Sequence, residues 1–343
     1  IGTRRWMDMP DLVRSLRSQP GTPRYHLPDA PSIGTDDNGV PRDSLQGVSA
    51  YLKIADGCRR PCAFCSIPLI KGTQVSRPLE DIFRDAEILQ DEGVKELILI
   101  AQDTTDYGSD LGMKDGLVKL LEKLLPRIPE IPWVRIMYAY PGYVTDSLID
   151  LMSDTRQVLP YLDIPLQHAS VDVLRSRKRP ANMVWGRTTI KKMRKRIPGL
   201  ALRTTFIAGF PGETEADFQL LADFIKEVEF DHLGVFPFSF ESGTSSAPLG
   251  DPIPGEVKQQ RVEEIMLLQE TISLKKNQRL IGQTLDVLVE GYGDGLSIGR
   301  SYRDAPEIDG MVLIEDKLQE GNIVPVQVTG ALVHDLLGKP ITN

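Results

Sequence analysis

The sequence has very few cysteines and no long apolar run. Only three cysteines occur in 343 residues, and all lie between positions 58 and 65. So few cysteines exclude a disulfide scaffold, and a tight cluster of them in a chain without a cationic-then-apolar leader indicates a metal or redox site in a reducing cytoplasm. No apolar stretch approaches the roughly 20 residues that span a bilayer, so we expect a cytoplasmic protein with no membrane partner.

The sequence also lacks an excess of positive charge. It has 40 Lys and Arg against 48 Asp and Glu, a formal net charge of -8 at pH 7. Phosphate binding usually requires a basic footprint, so this balance disfavours nucleic acid as the main partner and suits a basic protein better. The length favours one large domain and one small domain.

The first 47 residues have a composition of their own. The chain begins at Ile1 rather than at methionine, and apolar residues at helical spacing predict a short helix within residues 1–17. Residues 18–47 hold five prolines and four glycines, which predicts a linker. We therefore interpret residues 1–47 as the remnant of an N-terminal domain followed by a Pro/Gly-rich linker, and we expect the rest of that domain to precede this sequence.

From residue 48 onward, predicted strands and helices alternate. Strands are predicted at 50–54, 96–101, 133–138, 161–166, 200–208 and 233–238, with helices at 79–90, 117–125, 146–152, 184–196 and 215–228. Such alternation indicates an α/β fold with a parallel sheet, and six units suit either an open barrel or a doubly wound sheet.

A long helix at about 256–279 ends this part, and a different pattern follows it. Short β-rich segments at 284–290, 311–314 and 323–329 are separated by glycine turns, which predicts a small antiparallel barrel in residues 279–343. From residue 279 there are five Lys and Arg against ten Asp and Glu, a balance of -5. This charge is unlike that of a barrel that binds nucleic acid.

The cysteines follow the first predicted strand directly. The segment reads Asp56-Gly57-Cys58-Arg59-Arg60-Pro61-Cys62-Ala63-Phe64-Cys65. Three thiolates on one loop can bind three irons of a four-iron, four-sulfur cluster and leave the fourth iron open. The open iron can chelate the amino and carboxylate groups of S-adenosylmethionine (SAM), and one electron into its sulfonium releases a 5′-deoxyadenosyl radical. The spacing therefore predicts Cys58, Cys62 and Cys65 as cluster ligands.

A structural zinc site is the alternative interpretation of the cysteines. Zinc requires four ligands, commonly as paired Cys-x2-Cys units, and a fourth candidate, His168, is over a hundred residues away. A non-enzymatic, metal-binding scaffold stays open as an alternative function of another class.

The Cys-x3-Cys-x-Phe-Cys segment resembles the radical SAM superfamily. The resemblance implies a partial barrel of six βα units over residues 48–278, with Phe64 packed near the adenine of SAM. Three further segments resemble the methylthiotransferases of this superfamily, and within them the branch that modifies the β-carbon of an aspartate in a small-subunit ribosomal protein. They read Pro160-Tyr-Leu-Asp-Ile-Pro-Leu-Gln-His-Ala-Ser170, Leu202-Arg-Thr-Thr-Phe-Ile-Ala-Gly-Phe-Pro-Gly-Glu-Thr214 and Gly299-Arg-Ser-Tyr-Arg-Asp-Ala-Pro-Glu-Ile-Asp-Gly310.

The methylthiotransferase resemblance has further implications. Residues 279–343 resemble a TRAM domain, and its acidic balance suits a basic ribosomal protein docked there and at the barrel mouth. The branch that modifies transfer RNA is the alternative. The family carries a second four-iron cluster as sulfur source, bound by cysteines of an N-terminal domain. Because every cysteine here belongs to the first cluster, we expect the second cluster only in the preceding domain. We also expect an external electron donor and a monomer.

Polar residues on two predicted strands give the candidate SAM contacts. Asp163 and Gln167 alternate with apolar neighbours on the fourth strand, and Arg203 and Thr205 share one side of the fifth. Polar groups inside a barrel are costly unless a ligand or partner satisfies them, and active sites lie at the carboxyl ends of barrel strands.

We therefore predict Gln102, Gln167, Arg203 and Thr205 as SAM contacts, with Arg203 near the carboxylate. Gln102 is supported least, because the superfamily often has Gly-Gly-Glu where this chain has Ala101-Gln102-Asp103. An internal salt-bridge or hydrogen-bond network is the alternative for these side chains. We assign no catalytic role to His168, because a histidine at a strand end is usually satisfied by structural contacts.

Overall fold

The computed structural model describes residues 9–18 and 43–341, and its largest element is a seven-stranded sheet. The strands are β1 (Asp43–Gln46), β2 (Ser49–Lys53), β3 (Ala55–Asp56), β4 (Val75–Ser76), β5 (Glu96–Ile100), β6 (Trp133–Ile136), β7 (Val158–Asp163), β8 (Ala201–Ala208) and β9 (His232–Pro237). The sheet order is β1-β2-β5-β6-β7-β8-β9, and all neighbours after the antiparallel β1–β2 pair are parallel. The short strands β3 and β4 pair with each other.

Helix α1 (Met9–Ser18) precedes the first strand and buries no side chain. The later helices lie between or after the strands, and the longer ones cover one face of the sheet. They are α2 (Ile67–Lys71), α3 (Leu79–Asp91), α4 (Gly116–Leu124), α5 (Asp146–Asp154), α6 (Val171–Ser176), α7 (Met183–Arg196), α8 (Glu215–Val228) and α9 (Gly255–Gln278). Helix α8 begins with a capping box, in which Thr214 and Asp217 each accept the other's backbone N–H. Its buried side chains, such as Phe218 and Leu221, join one large apolar core with side chains of the strands. The predicted α/β fold with a partial barrel of six βα units is confirmed.

The C-terminal part is a closed five-stranded barrel, as predicted. Its strands are β10 (Thr284–Gly293), β11 (Leu296–Ser301), β12 (Val312–Ile314), β13 (Ile323–Ala331) and β14 (Leu336–Pro340), in the order β10-β11-β12-β14-β13. The sequence pattern missed β11 and β14 because glycines interrupt both. Gly299 is needed in β11, where a Cβ would lie 2.4 Å from the backbone oxygen of Leu288.

The second barrel packs into the interior of the first. A separate apolar cluster joins Ile98, Trp133 and Tyr161, which point inward from the parallel strands, to Leu288 of β10 and Ala305 of the loop after β11. The inner face of the sheet is therefore covered by the C-terminal barrel rather than by a second layer of helices. This arrangement resolves the choice between an open barrel and a doubly wound sheet in favour of the barrel.

Several element boundaries differ from those predicted, and two of the differences have a clear physical reason. The fourth parallel strand ends at Asp163 rather than at 166, because Pro165 has no N–H for a further ladder bond and Gln167 has a positive φ of 72°. The expected linker also ends earlier than residue 47, because Asp43–Gln46 pair with β2 through a turn at Gly47, whose φ is 61°.

The remaining N-terminal predictions fall mostly outside the described residues. The predicted helix corresponds to α1, whereas residues 1–8 and most of the linker, 19–42, are not described. Among the helices that the structure describes, none combines the length and the apolar character needed to cross a membrane.

Candidate active site

The cysteine loop follows β3 and is fixed by backbone contacts on both sides. Its first turn uses Gly57 at a φ of 78°, and the Cys58 N–H donates to the backbone oxygen of Gly72 at 3.1 Å. At the other end, the Ala63 N–H donates to the Arg177 oxygen at 2.9 Å. These two contacts hold both ends of the loop. The cysteines line one cavity with residues at the carboxyl ends of the parallel strands, so the loop lies at those ends.

Two arginines between the cysteines are clamped by aspartates that follow β5. Arg59 donates to both carboxylate oxygens of Asp106, each at 2.6 Å, and the Arg60 Nε donates to Asp103 at 2.6 Å. Burial raises the pKa of Asp103, although Arg60 and a hydrogen bond from Thr105 oppose that shift. Sequence reasoning missed these pairs, because nothing in the spacing links residues more than forty positions apart.

A cavity of about 410 Å³ opens beside the cysteine loop. All three cysteines line it, together with the ends of several strands. The other lining residues are Lys53, Arg60, Phe64, Ile67, Ile100, Ala101, Gln102, Tyr138, Ala139, Tyr140, Pro165, Gln167 and Arg179. Three of the five predicted SAM contacts, Phe64, Gln102 and Gln167, therefore lie in one wall with the predicted cluster ligands. We call these lining side chains the mouth.

Two glutamine side chains of the mouth have unsatisfied oxygens. The Oε1 atoms of Gln102 and Gln167 are buried, and neither has a hydrogen-bond partner among the described residues. The backbone of Gln167 is held in place despite its positive φ. Its backbone N–H donates to the Thr205 backbone oxygen at 2.9 Å, and its backbone oxygen accepts from Arg177 Nη1 at 2.7 Å. A buried acceptor without a partner is costly, so both side chains suit a polar ligand in the cavity.

Arg203 and Thr205 are not among the residues that line the mouth. The Arg203 Nη1 donates to Asp163 at 3.1 Å and to the Thr205 hydroxyl at 3.3 Å, and its Nε lies 3.3 Å from an Asp309 oxygen. This is the internal network weighed above as the alternative. The Tyr138 N–H donates to the other oxygen of Asp163 at 3.3 Å, so one carboxylate separates Arg203 from the mouth. Contact of Arg203 or Thr205 with SAM stays a prediction.

The loop after β11, in the second barrel, contributes Asp309 to this network. Asp309 accepts from the Tyr161 hydroxyl at 2.7 Å and lies 3.5 Å from the His232 ring. A second group joins the first residue of β5 to β11, since Glu96 accepts from Arg135 at 2.6 Å and from Arg300 at 2.5 Å. We call these buried groups the floor network. Its members are Glu96, Arg135, Tyr161, Asp163, Arg203 and His232 of the first barrel and Arg300, Asp304 and Asp309 of the second.

His168 makes protein contacts on both sides of its ring. It is fully buried, its Nδ1 accepts the Ser170 N–H at 2.9 Å, and its Nε2 lies 3.4 Å from Glu213. With Nδ1 as acceptor, the proton of the neutral ring is on Nε2 and faces the carboxylate. Burial lowers the pKa of His168 below its ordinary value of 6.5. Glu213, which sequence reasoning missed, also accepts from Arg261 at 2.9 Å and so ties the turn before α8 to α9.

The cysteine arrangement fits a multi-iron cluster better than a single ion. Within residues 9–18 and 43–341, no three Cys, His, Asp or Glu side chains are close enough to bind one metal ion. A four-iron cluster places each thiolate on a different iron, so its ligands stand further apart than those of zinc. Burial raises the pKa of the Cys58 thiol to about 11 and also raises that of Cys65. Such thiols become thiolates when a metal supplies the positive charge.

Fold and site together define a radical SAM enzyme. The family model described as the Radical SAM superfamily matches residues 52–225, and a TRAM domain model matches residues 281–341. Among solved structures, the radical S-adenosylmethionine methyltransferase TsrM from Kitasatospora setae, with tryptophan and a SAM analogue bound, is similar in fold. Its TM-score is 0.50 at 17% identity, over 62% of this chain and 41% of that one.

Curated relatives narrow the class. The ribosomal protein uS12 methylthiotransferase RimO of Roseiflexus sp. (strain RS-1) is 45% identical, over 99% of this chain and 77% of that protein. The RimO of Symbiobacterium thermophilum is 47% identical, over 99% of this chain and 70% of that protein. The chain belongs to the RimO family of radical SAM methylthiotransferases.

Proposed function

We propose that this chain generates the substrate radical in the methylthiolation of ribosomal protein uS12, at the β-carbon of an aspartate. The observation that carries the proposal is the mouth: the three cysteines, Phe64 and two glutamines, whose side-chain oxygens have no partner among the described residues, line one cavity at the carboxyl ends of the strands. The identity of 45% to a uS12 methylthiotransferase over nearly the whole chain supports the choice of target.

Different residues of the mouth would bind the cluster and SAM. Cys58, Cys62 and Cys65 would bind the cluster, which, when present, delivers one electron to the sulfonium of SAM and so yields the radical that takes hydrogen from the target carbon. Phe64 packs on Val173, Phe210 and Phe238 and offers an apolar face for the adenine. Gln102 and Gln167 would accept hydrogen bonds from SAM, and the salt bridges of Arg59 and Arg60 keep the loop from shifting.

The sulfur must come from another group. All three cysteines of the 343 residues are in the loop of the radical cluster, so this sequence has no thiol left to hold a second one. We propose that a second four-iron cluster, bound by cysteines outside these 343 residues, donates the sulfur. The chain by itself should then cleave SAM reductively, with electrons from an external donor, and transfer no methylthio group.

The surface of the C-terminal barrel supports a basic protein partner. From residue 279 onward, the exposed cations are Arg279, Lys317 and Lys339, and the exposed carboxylates are Asp286, Asp294, Glu307, Glu315, Asp316 and Glu320. Arg300, Arg303 and Asp304 are buried, so the exposed balance is three against six, or -3. A surface of this sign attracts a basic ribosomal protein and repels RNA. We propose that uS12 docks there and at the mouth, with the enzyme a monomer.

Mass spectrometry of uS12 tests this proposal. The protein, with any flanking sequence that its gene encodes, would be reconstituted anaerobically and incubated with uS12, SAM and dithionite. We expect the target aspartate to gain the mass of a methylthio group, and we expect the Cys62→Ser variant to leave uS12 unmodified.

Transfer RNA incubated in parallel separates the alternatives. Modified transfer RNA with unmodified uS12 would contradict the proposal and favour the RNA-modifying branch. Zinc in place of iron in the purified protein would instead support a non-enzymatic scaffold.

A further inference from the structure

The three sulfurs of the mouth differ in the donors that face them. The Cys58 Sγ accepts the backbone N–H of Arg60 at 3.4 Å, and the Cys65 thiol accepts the backbone N–H of Ile67. Arg60 lies within the cysteine loop, and Ile67 is the first residue of α2, which follows it directly. Cys62 is different, because its donors are side chains from other parts of the barrel.

Arg179 and Tyr140 both reach Cys62. The Arg179 Nη1 donates to the Cys62 Sγ at 3.4 Å, and the Tyr140 hydroxyl lies 3.8 Å from the same sulfur. The other terminal nitrogen of Arg179 donates to the backbone oxygen of Pro165. Two guanidinium groups lie over the Tyr140 ring, that of Arg179 at 4.2 Å and that of Arg60 at 4.6 Å from its centroid.

We propose that Arg179 is a positioning residue that raises the reduction potential of the radical-generating cluster by donating a hydrogen bond to Cys62. The proposal rests on the assignment of Cys62 as a cluster ligand. Hydrogen bonds to the sulfurs of an iron–sulfur cluster are among the groups that set its potential. Reduction adds one electron from an external one-electron reductant and makes or breaks no bond, so a fixed positive charge beside the sulfur favours the reduced, more negative state.

The surroundings of Arg179 make this effect strong. The residue is 9% exposed, so water screens its charge weakly. Its two terminal nitrogens are committed to different partners, and its face is stacked on Tyr140, so the guanidinium cannot rotate away from the sulfur.

The test compares the potential of the wild-type cluster with that of Arg179→Gln. Both proteins would be reconstituted anaerobically, assayed for iron and sulfide, and titrated with dithionite without SAM while the reduced cluster is followed by electron paramagnetic resonance. We expect the ratio of reduced to oxidised cluster at a fixed potential to fall about tenfold in the variant, which for one electron corresponds to about 59 mV.

Three further variants make the result specific. Arg179→Lys keeps a cation without the planar fork, so we expect a smaller shift in the same direction. Tyr140→Phe keeps the ring but removes the more distant hydroxyl, so we expect a shift smaller than that of Arg179→Gln. Arg187→Gln, which removes an arginine paired with Glu227 on the surface, should leave the potential unchanged.

The outcomes separate the two proposals. An unchanged potential in Arg179→Gln with a full complement of iron would overturn the role of Arg179 and leave the proposed function intact. Loss of the cluster from both Arg179 variants would assign the residue to cluster assembly, which also overturns it. A wild-type protein that binds no cluster would instead contradict the proposed function.

Discussion

The mouth and the floor network are both polar interiors of the same barrel, but their polar groups are satisfied differently. In the floor network Glu96, Asp163 and Asp309 each face an arginine. In the mouth, the Gln102 and Gln167 oxygens are buried and without a partner in the part of the chain that the structure describes. The carboxylates of the floor network are therefore paired by protein groups, partly from the second barrel, whereas in the proposed function a ligand would satisfy the two glutamines.

This difference changes what each region contributes. The buried ion pairs of the floor network hold two barrels together, and breaking one leaves a charge without compensation. Unsatisfied acceptors do not stabilise the fold, but they favour a ligand that can donate to them. Substitutions in the floor network should therefore reduce stability, and substitutions in the mouth should reduce cofactor binding at nearly unchanged stability.

The largest expected effect is on stability in the floor network. Glu96→Gln removes the carboxylate between Arg135 and Arg300, so two buried cations lose their shared partner. Breaking a buried ion pair costs about 3–5 kcal/mol. We expect a loss of that order in urea denaturation. Its matched control is Glu227→Gln, which breaks the exposed Arg187 pair and should cost less than about 1 kcal/mol. An equal loss of unfolding free energy in the two variants would show that the buried pairs of the floor network stabilise the fold no more than a surface pair does.

A pair of glutamine variants tests the mouth. Gln102→Ala removes a side chain whose buried oxygen has no partner in the described structure, so we expect SAM affinity of the cluster-loaded protein to fall about tenfold, with the melting temperature unchanged. Gln269→Ala should do the opposite, because the Gln269 amide donates to Phe230 O at 3.0 Å and to Ser273 at 2.9 Å, away from the cavity. Titration calorimetry measures the SAM affinity of both variants, and thermal melts measure their stability. A Gln102→Ala variant that lost stability but kept its affinity for SAM would contradict the prediction.

The smallest expected effect is a pH dependence from His168. Its folded pKa is below 6.5, so the unfolded chain takes up a proton first as the pH falls. The stability from the neutral, buried ring is present above about pH 6.5 and is lost as the pH falls toward the folded value. The slope cannot exceed about 1.4 kcal/mol per pH unit. We expect His168→Asn to be less stable at pH 8 but to show a shallower loss between pH 7 and 5.5.

Melting temperatures across this pH range provide the measurement. The exposed His334, changed to Asn, is the control and should keep the wild-type slope. If His168→Asn and the wild type lost stability in parallel as the pH fell, the buried histidine would not be the group that titrates.

The sequence predicted those features that depend on local spacing. The cysteine loop and the alternation of strands and helices are both set by residues a few positions apart. Asp103, Glu213 and Arg179 were missed because their partners lie 43, 36 or more, and 117 positions away. The fourth strand was placed too late because apolar alternation continues through Ile164 and Leu166, past the proline that ends the ladder. Arg203 shows the same limit, because its inward direction was foreseen but its partner from the second barrel was not.

The loop after β11 has a consequence for how this protein can be divided. Asp309 and Arg300 reach from the second barrel into the first, beside Arg203 and Glu96. A chain that ended after α9 would leave Arg203 and Glu96 without these partners. It would also expose to water the inner face of the sheet that the second barrel covers. A foreign C-terminal domain fused to residues 43–278 would have to supply an equivalent carboxylate and an equivalent cation to these two residues. The two barrels differ in shape and pattern, yet for engineering purposes they are one indivisible part.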